Sequence, residues 1–385
     1  MVASSRAEED GKETSERIVS EALFLALVSG IFLASMVFVA GGPLLLAIAG
    51  QESASVVPSA LKYATVRAFG QPAVIMASVA RASALAGKDT GGPLTSVALA
   101  FFLNAVGTTV LVRFANLGIV GAAIGTLCAD CVATLFLLSR ISSFRREETR
   151  RNDRLEQIPL IVIPTLTNFR RFCQYAAPIF FTILGKSVVY NGVAMSVGRL
   201  GAVALAAHQV LLRSFFFWTP VGDSVGMTSQ VFLPGILAEE RRTGTPKRGA
   251  KRLLFMVGVM AGLVAATLAG LLPSKGAGLF TTDSAVAAAL GATAPILGLS
   301  ISMHAIALTC EGMLLAQRDL GFLSSSYVTT TIATIALLLS PFRPSSLQGS
   351  WWILALFQGG RALQFSLRTL WLSRKKEMTQ KQACG

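Results

Sequence analysis

The stretch TCEGMLLAQRDLGF, residues 309–322, puts Glu311 well inside an apolar run that extends back through LGATAPILGLSISMHAIAL. A charged side chain at the centre of a membrane span costs roughly 2.5–3.5 kcal/mol to insert, and it faces protein or water rather than lipid. Glu311 therefore has one of two jobs. It is a proton carrier, its affinity set by the opposing pulls of burial and a neighbouring cation, or it is half of a fixed ion pair. Lys186, Asp223, Arg81 and Asp130 sit in comparably apolar surroundings. Lys186 must find a counter-charge or lose its proton. Glu311 and Asp223 are the candidates to supply one, and direct contact with an anionic substrate is the alternative. Asp223 follows Pro220 and Gly222, which loosen a helix ladder as at a bend beside a cavity. Arg81 and Asp130 either pair with each other or leave the Arg81 guanidinium for a carboxylate-bearing substrate. Arg67, Arg213 and Arg361 lie nearer predicted helix ends, where long cationic side chains snorkel or cap.

Other chemistries have little to stand on. Cys128-Ala-Asp-Cys131 has redox or zinc-ligand spacing, but it lies inside TLCADCVATLFLL with no second ligand pair. It reads as small apolar helix residues. Cys173, Cys310 and Cys384 are scattered, and His208 and His304 are the only histidines. His208, in LAAHQ, reads as a hydrogen-bonded turn residue. No Gly-rich phosphate loop follows a strand, and no nucleophile stands near a base. Neither an enzyme nor a metal or organic cofactor is expected, and the only small ion called for is a coupling proton or sodium.

The elements that must hold these residues are membrane helices. The chain of 385 residues is 53% hydrophobic and 14% charged, against about 25% charged in soluble domains, and its mean hydropathy is +0.62. Apolar windows of about 20 residues, the length of a spanning helix, recur along it. Long apolar runs select helices over a closed barrel. The pattern predicts ten spans, near 19–48, 57–87, 93–113, 117–140, 171–197, 201–238, 250–273, 284–317, 321–341 and 349–373. Of the 34 Lys and Arg residues, 23 fall in the loops and tails of one side, while the other side holds only Arg113, Arg199, Lys275 and Arg343. That asymmetry places both termini on the cytoplasmic or stromal side. The runs FRREETRRNDR and EERRTGTPKRGAKR are then topology determinants rather than nucleic-acid contacts, so the expected partners are membrane lipid and a small-molecule substrate. Trp351, Trp352 and Trp371, toward the ends of the last span, read as interfacial anchors. Phe215–Phe217 line an apolar vestibule or face lipid.

A loose internal repeat runs through the chain. GQPAVIMASVARASALAGKD ends at Asp89 and LSISMHAIALTCEGMLLAQRD at Asp319. Counting back from each aspartate places Arg81 opposite Glu311. NLGIVGAAIGTLCADC and SLQGSWWILALFQGGR also correspond, with Gly121 opposite Gly349 and Asp130 opposite Gln358. Two similar halves in one membrane protein imply transporter architecture with a substrate between them.

Several of these segments resemble one family, the multidrug and toxic compound extrusion (MATE) transporters. GQPAVIMASVARASALAGKDTGGPL at 70–94 resembles its fourth helix, GIVGAAIGTLCAD at 118–130 its sixth, APIFFTILGKSVVY and GRLGAVALAAHQVLL its seventh and eighth, and CEGMLLAQRDLGF its tenth. Lys186, Glu311-Gly312 and WTPVGDSVGMTSQVFLP at 218–234 resemble the plant and algal plastid-envelope branch, which includes exporters of salicylate-type aromatic acids.

The resemblance implies an all-α, two-lobed membrane fold. Residues 1–18 form a polar segment, 19–140 a partial first lobe of four helices, 141–170 a basic linker, 171–373 a six-helix second lobe and 374–385 a basic tail. The family has twelve helices, so the first lobe is expected to be incomplete. Thr108 stands where relatives often have Asp, and Arg81 and Asp130 where glutamine is usual. The implied function is secondary antiport or export of a small organic solute, such as an anionic aromatic metabolite or drug, coupled to protons or sodium. Glu311 and Asp223 are the ion-coupling candidates, and Lys186, Arg81 and Asp130 the substrate or charge-pairing ones. The alternatives are a flippase for a lipid-linked precursor and a truncated, non-transporting protein completed by a full-length partner.

Overall fold

The computed structural model describes residues 11–49, 57–151, 158–243, 248–341 and 343–383. These residues form helices joined by short turns, with no strand among them. They divide into two compact units, Met1–Thr167 and Asn168–Gly385.

In the first unit the helices are α1 (Gly11–Ala49), α2 (Val57–Ala68), α3 (Gln71–Ala86), α4 (Gly91–Thr109, continued by a π-turn at Val110–Phe114) and α5 (Gly118–Arg151). Helix α1 packs on α2 and α3, and α5 packs on α2, α3 and α4. The interior is small and aliphatic: Val19, Leu23, Ala26 and Met76 form one cluster, Ala77, Ala80 and Leu137 another. The single span expected at 57–87 is broken at Phe69 and Gly70, because Pro72 lies at the second helical position of α3. Proline lacks the N–H a continuous helix would need and suits the first turn of a new one.

The second unit contains α6 (Leu166–Gly198), which begins at the unit boundary, α7 (Ala202–Thr243), α8 (Arg248–Lys275), α9 (Ser284–Ala316), α10 (Leu320–Leu339) and α11 (Leu347–Ala383). Helix α9 is its axis and packs against α7, α8 and α11. Within its most apolar window 56% of residues are buried, against 6% for Gly91–Phe114. The first value marks a helix enclosed by protein. The second marks one whose apolar face, with Leu94, Phe101 and Phe102 exposed, suits lipid.

Eight of these helices are long and apolar enough to cross a membrane, so the chain is a multi-pass membrane protein. Two expected spans are not among the eight. One is the broken 57–87 segment. The other is α11, where Gln358, Arg361 and Gln364 interrupt the apolar run.

The repeat seen in the sequence recurs in the backbone. At the end of α3, Lys88 adopts φ +63°, and the N–H groups of Lys88 and Asp89 return to the carbonyls of Leu85 and Ala84. At the end of α9, Arg318 adopts φ +61°, and Arg318 and Asp319 return to Leu315 and Leu314. Both are Schellman caps with a left-handed residue that is not glycine. Each closes with an ion pair to a later helix, Arg140 to Asp89 and Arg368 to Asp319, both at 2.8 Å. The Arg140 guanidinium, with help from the Gly92 N–H, holds the Asp89 carboxyl below its ordinary range.

Candidate functional site

The buried charges of the second unit converge on Glu311. Its helix can approach α7 closely because glycines meet there: a methyl group at Gly312 would run into the backbone of Gly226. Helix α6 is drawn onto α10 in the same way, since a Cβ at Gly185 would lie 2.6 Å from Thr331 Oγ1. These approaches bring Lys186, on α6, and Tyr327, on α10, to the same carboxylate.

Lys186 Nζ lies 3.2 and 3.3 Å from Glu311 Oε1 and Oε2. The Tyr327 hydroxyl donates to Oε2 at 2.6 Å. Behind it, Arg361 of α11 donates to the Tyr327 hydroxyl and to Gln358 Oε1. Gln358 in turn donates to the Tyr190 hydroxyl at 2.9 Å and meets His304 Nδ1 at 3.2 Å. The Tyr327 ring has Lys186 Nζ 5.1 Å and Arg361 Cζ 5.0 Å from its centroid, a cation–π arrangement with both ions. Asp223, half-buried on α7, is within electrostatic reach of Lys186 and Glu311. Glu311 is 9% exposed and Arg361 fully buried. Charges so enclosed are tolerated only when paired and hydrogen-bonded, and this group of two cations and two carboxylates balances its own charge.

Of the residues singled out in the sequence, the structure thus brings together Glu311, Lys186 and Asp223. It does not pair Arg81 with Asp130. Asp130 Oδ2 accepts from Arg67 at 2.7 Å, and among the described residues Arg81 donates to Ser78 Oγ on its own helix, at 3.2 Å. Both α2 and α3 pack against α5, but Thr134 of α5 donates to the Ala73 carbonyl, so Asp130 lies level with the start of α3, beside Arg67, and Arg81 is about two turns further along. The expectation that Arg361 snorkels is also wrong, since it is sealed inside the second unit. Position along the helix alone left this open, because it does not tell which face is covered. One signal was available: Gln358, Arg361 and Gln364 recur every three residues, a polar stripe along one side of an apolar helix.

Two further expectations are corrected. Trp351 is no interfacial anchor but is buried against Phe215 and His208; Trp352 and Trp371 do remain about half exposed. His208 is 1% exposed, and among the described residues neither ring nitrogen has a hydrogen-bond partner, so it is not the satisfied turn histidine expected. Phe215 is core and Phe217 exposed. Among the described residues no group of three or more His, Cys, Asp or Glu side chains could hold a metal ion. Cys128, Cys131, Cys173 and Cys310 are free, and Cys384 lies outside the described residues.

The chain thus has a membrane fold of two helical units, one built around a largely buried charge cluster, and solved structures share that fold. A MOP superfamily transporter from Pyrococcus furiosus superposes with a TM-score of 0.79 at 16% identity, over 98% of this chain and 82% of its own. The eukaryotic MATE transporter AtDTX14 gives a TM-score of 0.77 at 16% identity, over 98% and 85%.

By sequence, the chain is similar to plant DETOXIFICATION proteins and to bacterial NorM proteins. Protein DETOXIFICATION 47, chloroplastic, of Arabidopsis thaliana is 28% identical over 94% of this chain and 65% of its own length. Protein DETOXIFICATION 42 of the same plant is 23% identical over 89% and 64%. The probable multidrug resistance protein NorM of Rhizobium meliloti is 28% identical over 73% and 58%. The plastid-type resemblance read from the sequence agrees with the first of these. No protein-family model matches the chain. The chain spans a little under two thirds of the length of the curated plant relatives it matches, DETOXIFICATION 47 and DETOXIFICATION 42.

Proposed function

We propose that this chain is the working part of a secondary exporter, not an enzyme. It moves a small organic solute, of the anionic aromatic metabolite or drug class, across a membrane in exchange for protons or sodium. The observation that carries the reading is Glu311, a carboxylate enclosed in the second unit with Lys186, Tyr327 and, behind them, Arg361. A group there changes charge state only when the surrounding helices change its exposure, which is the requirement for coupling an ion to alternating access. Glu311 is the coupling group, and Lys186 and Asp223 set its balance. The names of the relatives, multidrug resistance and detoxification, support the substrate class. The cations Lys186 and Arg361 favour a solute with negative charge. In the first unit Arg81 is left for substrate, while Asp130 is held in its pair with Arg67. The chloroplast labels of three plant relatives support a plastid envelope, and the basic loops support termini on the stromal side.

The test is efflux from proteoliposomes containing the purified full chain under an imposed ion gradient, with an aromatic carboxylate such as benzoate and a cationic dye as alternative probes. Glu311→Gln should abolish gradient-driven transport while leaving the protein monodisperse. Unimpaired transport by that variant overturns the reading.

A further inference from the structure

We propose that the Lys186 ammonium is a tethered counter-cation, occupying at Glu311 the place a mobile sodium ion would take, so that the site does not use sodium. The inference rests on the reading of Glu311 as the coupling group, and it names the ion.

Four observations lead to it. First, Lys186 Nζ is nearly equidistant from the two carboxylate oxygens, at 3.2 and 3.3 Å, the bridging position a small cation would occupy. Second, the other groups around the carboxylate are arranged to donate. Hard cations are held by oxygen lone pairs. The Tyr327 hydroxyl directs its proton at Glu311 Oε2, and its own oxygen accepts from Arg361. Sodium at Glu311 would therefore meet an ammonium and a hydroxyl proton rather than ligands.

Third, the charges already balance. Two carboxylates, Glu311 and Asp223, lie within electrostatic reach of Lys186, Arg361 reaches Glu311 through the Tyr327 hydroxyl, and the remaining titratable neighbours, Tyr190 and His304, join the cluster through Gln358. Helix α8 brings glycines, Gly258 and Gly262, against α9. A sodium ion would add uncompensated charge beside the buried Glu311 and Arg361, where pairing decides the cost. Fourth, Arg361 is fully buried and always protonated, so it cannot relieve that excess, whereas Lys186 can exchange partners.

The arrangement predicts a gain of function. Radioactive sodium binding is measured on the purified full chain in detergent, with choline chloride holding ionic strength constant. Wild type should show no saturable sodium binding. Lys186→Ala should acquire a saturable site, and the double variant Lys186→Ala/Glu311→Gln should lose it. Saturable binding in wild type that Glu311→Gln removes overturns the proposal, as does a monodisperse Lys186→Ala with no sodium site. Should Lys186→Ala not fold, the wild-type unfolding temperature decides. Indifference to replacing choline by sodium supports a tethered cation, and a saturable rise overturns it. Failure here is separable from failure of the exporter reading. Sodium binding by wild type leaves Glu311's coupling role standing, whereas normal gradient-driven efflux by Glu311→Gln removes that role whatever sodium does.

Discussion

In the first unit the turn after α3 sets Lys88 in the left-handed region and ties Asp89 to Arg140; in the second, the turn after α9 does the same with Arg318, Asp319 and Arg368. Beyond these turns the halves diverge. Arg81, opposite Glu311 in the repeat, stays on its own helix with Ser78, while Glu311 is held by Lys186 of α6 and Tyr327 of α10. Asp130 pairs with Arg67 where both side chains are about a quarter exposed. Gln358, its counterpart, is fully buried with Arg361. The two halves therefore share a backbone device at the surface and differ in what they enclose. Water screens an exposed pair and makes its loss cheap. Glu311, Gln358 and Arg361 have no such relief, although Lys186 at the edge of the cluster is itself a quarter exposed.

That contrast can be broken most directly at its two arginines. Arg361→Met should cost about 3–5 kcal/mol, the penalty for leaving a buried charge network without one partner. Arg67→Met should cost under about 1 kcal/mol. Unfolding temperatures of the two detergent-purified variants check this, and equal losses would erase the distinction between the units. Next in size, Gly312→Ala should destabilise by about 1–3 kcal/mol through overpacking, because its methyl meets the Gly226 backbone. Gly359→Ala, which meets nothing within 4 Å, is the control and should be neutral or slightly stabilising.

Smaller effects sharpen the likeness of the two halves. Replacing Lys88 or Arg318 by Gly removes a left-handed conformation that costs a residue with a Cβ roughly 1 kcal/mol. Both substitutions should raise the unfolding temperature by similar amounts. The smallest effect is expected at Asp89→Asn. The Arg140 contact holds the folded-state carboxyl below its ordinary value of 3.8, so its contribution is present above that value and is lost as pH falls through the lower folded value. The stability difference between wild type and Asp89→Asn should be constant near neutrality and shrink only in acid below 3.8. A difference that grows in acid contradicts the assignment.

Much of this was legible in the sequence, for physical reasons that can be named. Apolar length demands helices in lipid, so the helical class and most element positions followed directly. The cost of an unpaired charge in an apolar run picked out Glu311, Lys186 and Asp223 as members of one group, and the structure places them together. Pro72 was visible too, but a proline inside a long apolar stretch is tolerated in membrane helices. Whether it breaks the helix depends on what packs around Gly70.

What the sequence determined by itself is therefore whatever depends on composition along one helix: apolar length, the asymmetry of charge between loops, and the need of each buried ion for a partner. Partner choice belonged to the tertiary structure. Arg67 rather than Arg81 reaches Asp130 because the part of α5 that carries Asp130 lies beside the start of α3, not beside Arg81 further along it. Arg361 is enclosed rather than snorkelling because α11 lies along α9 with its polar stripe turned inward. The physical reason is the same in both cases. The sequence fixes which face of a helix carries which residue, and only packing decides which faces meet.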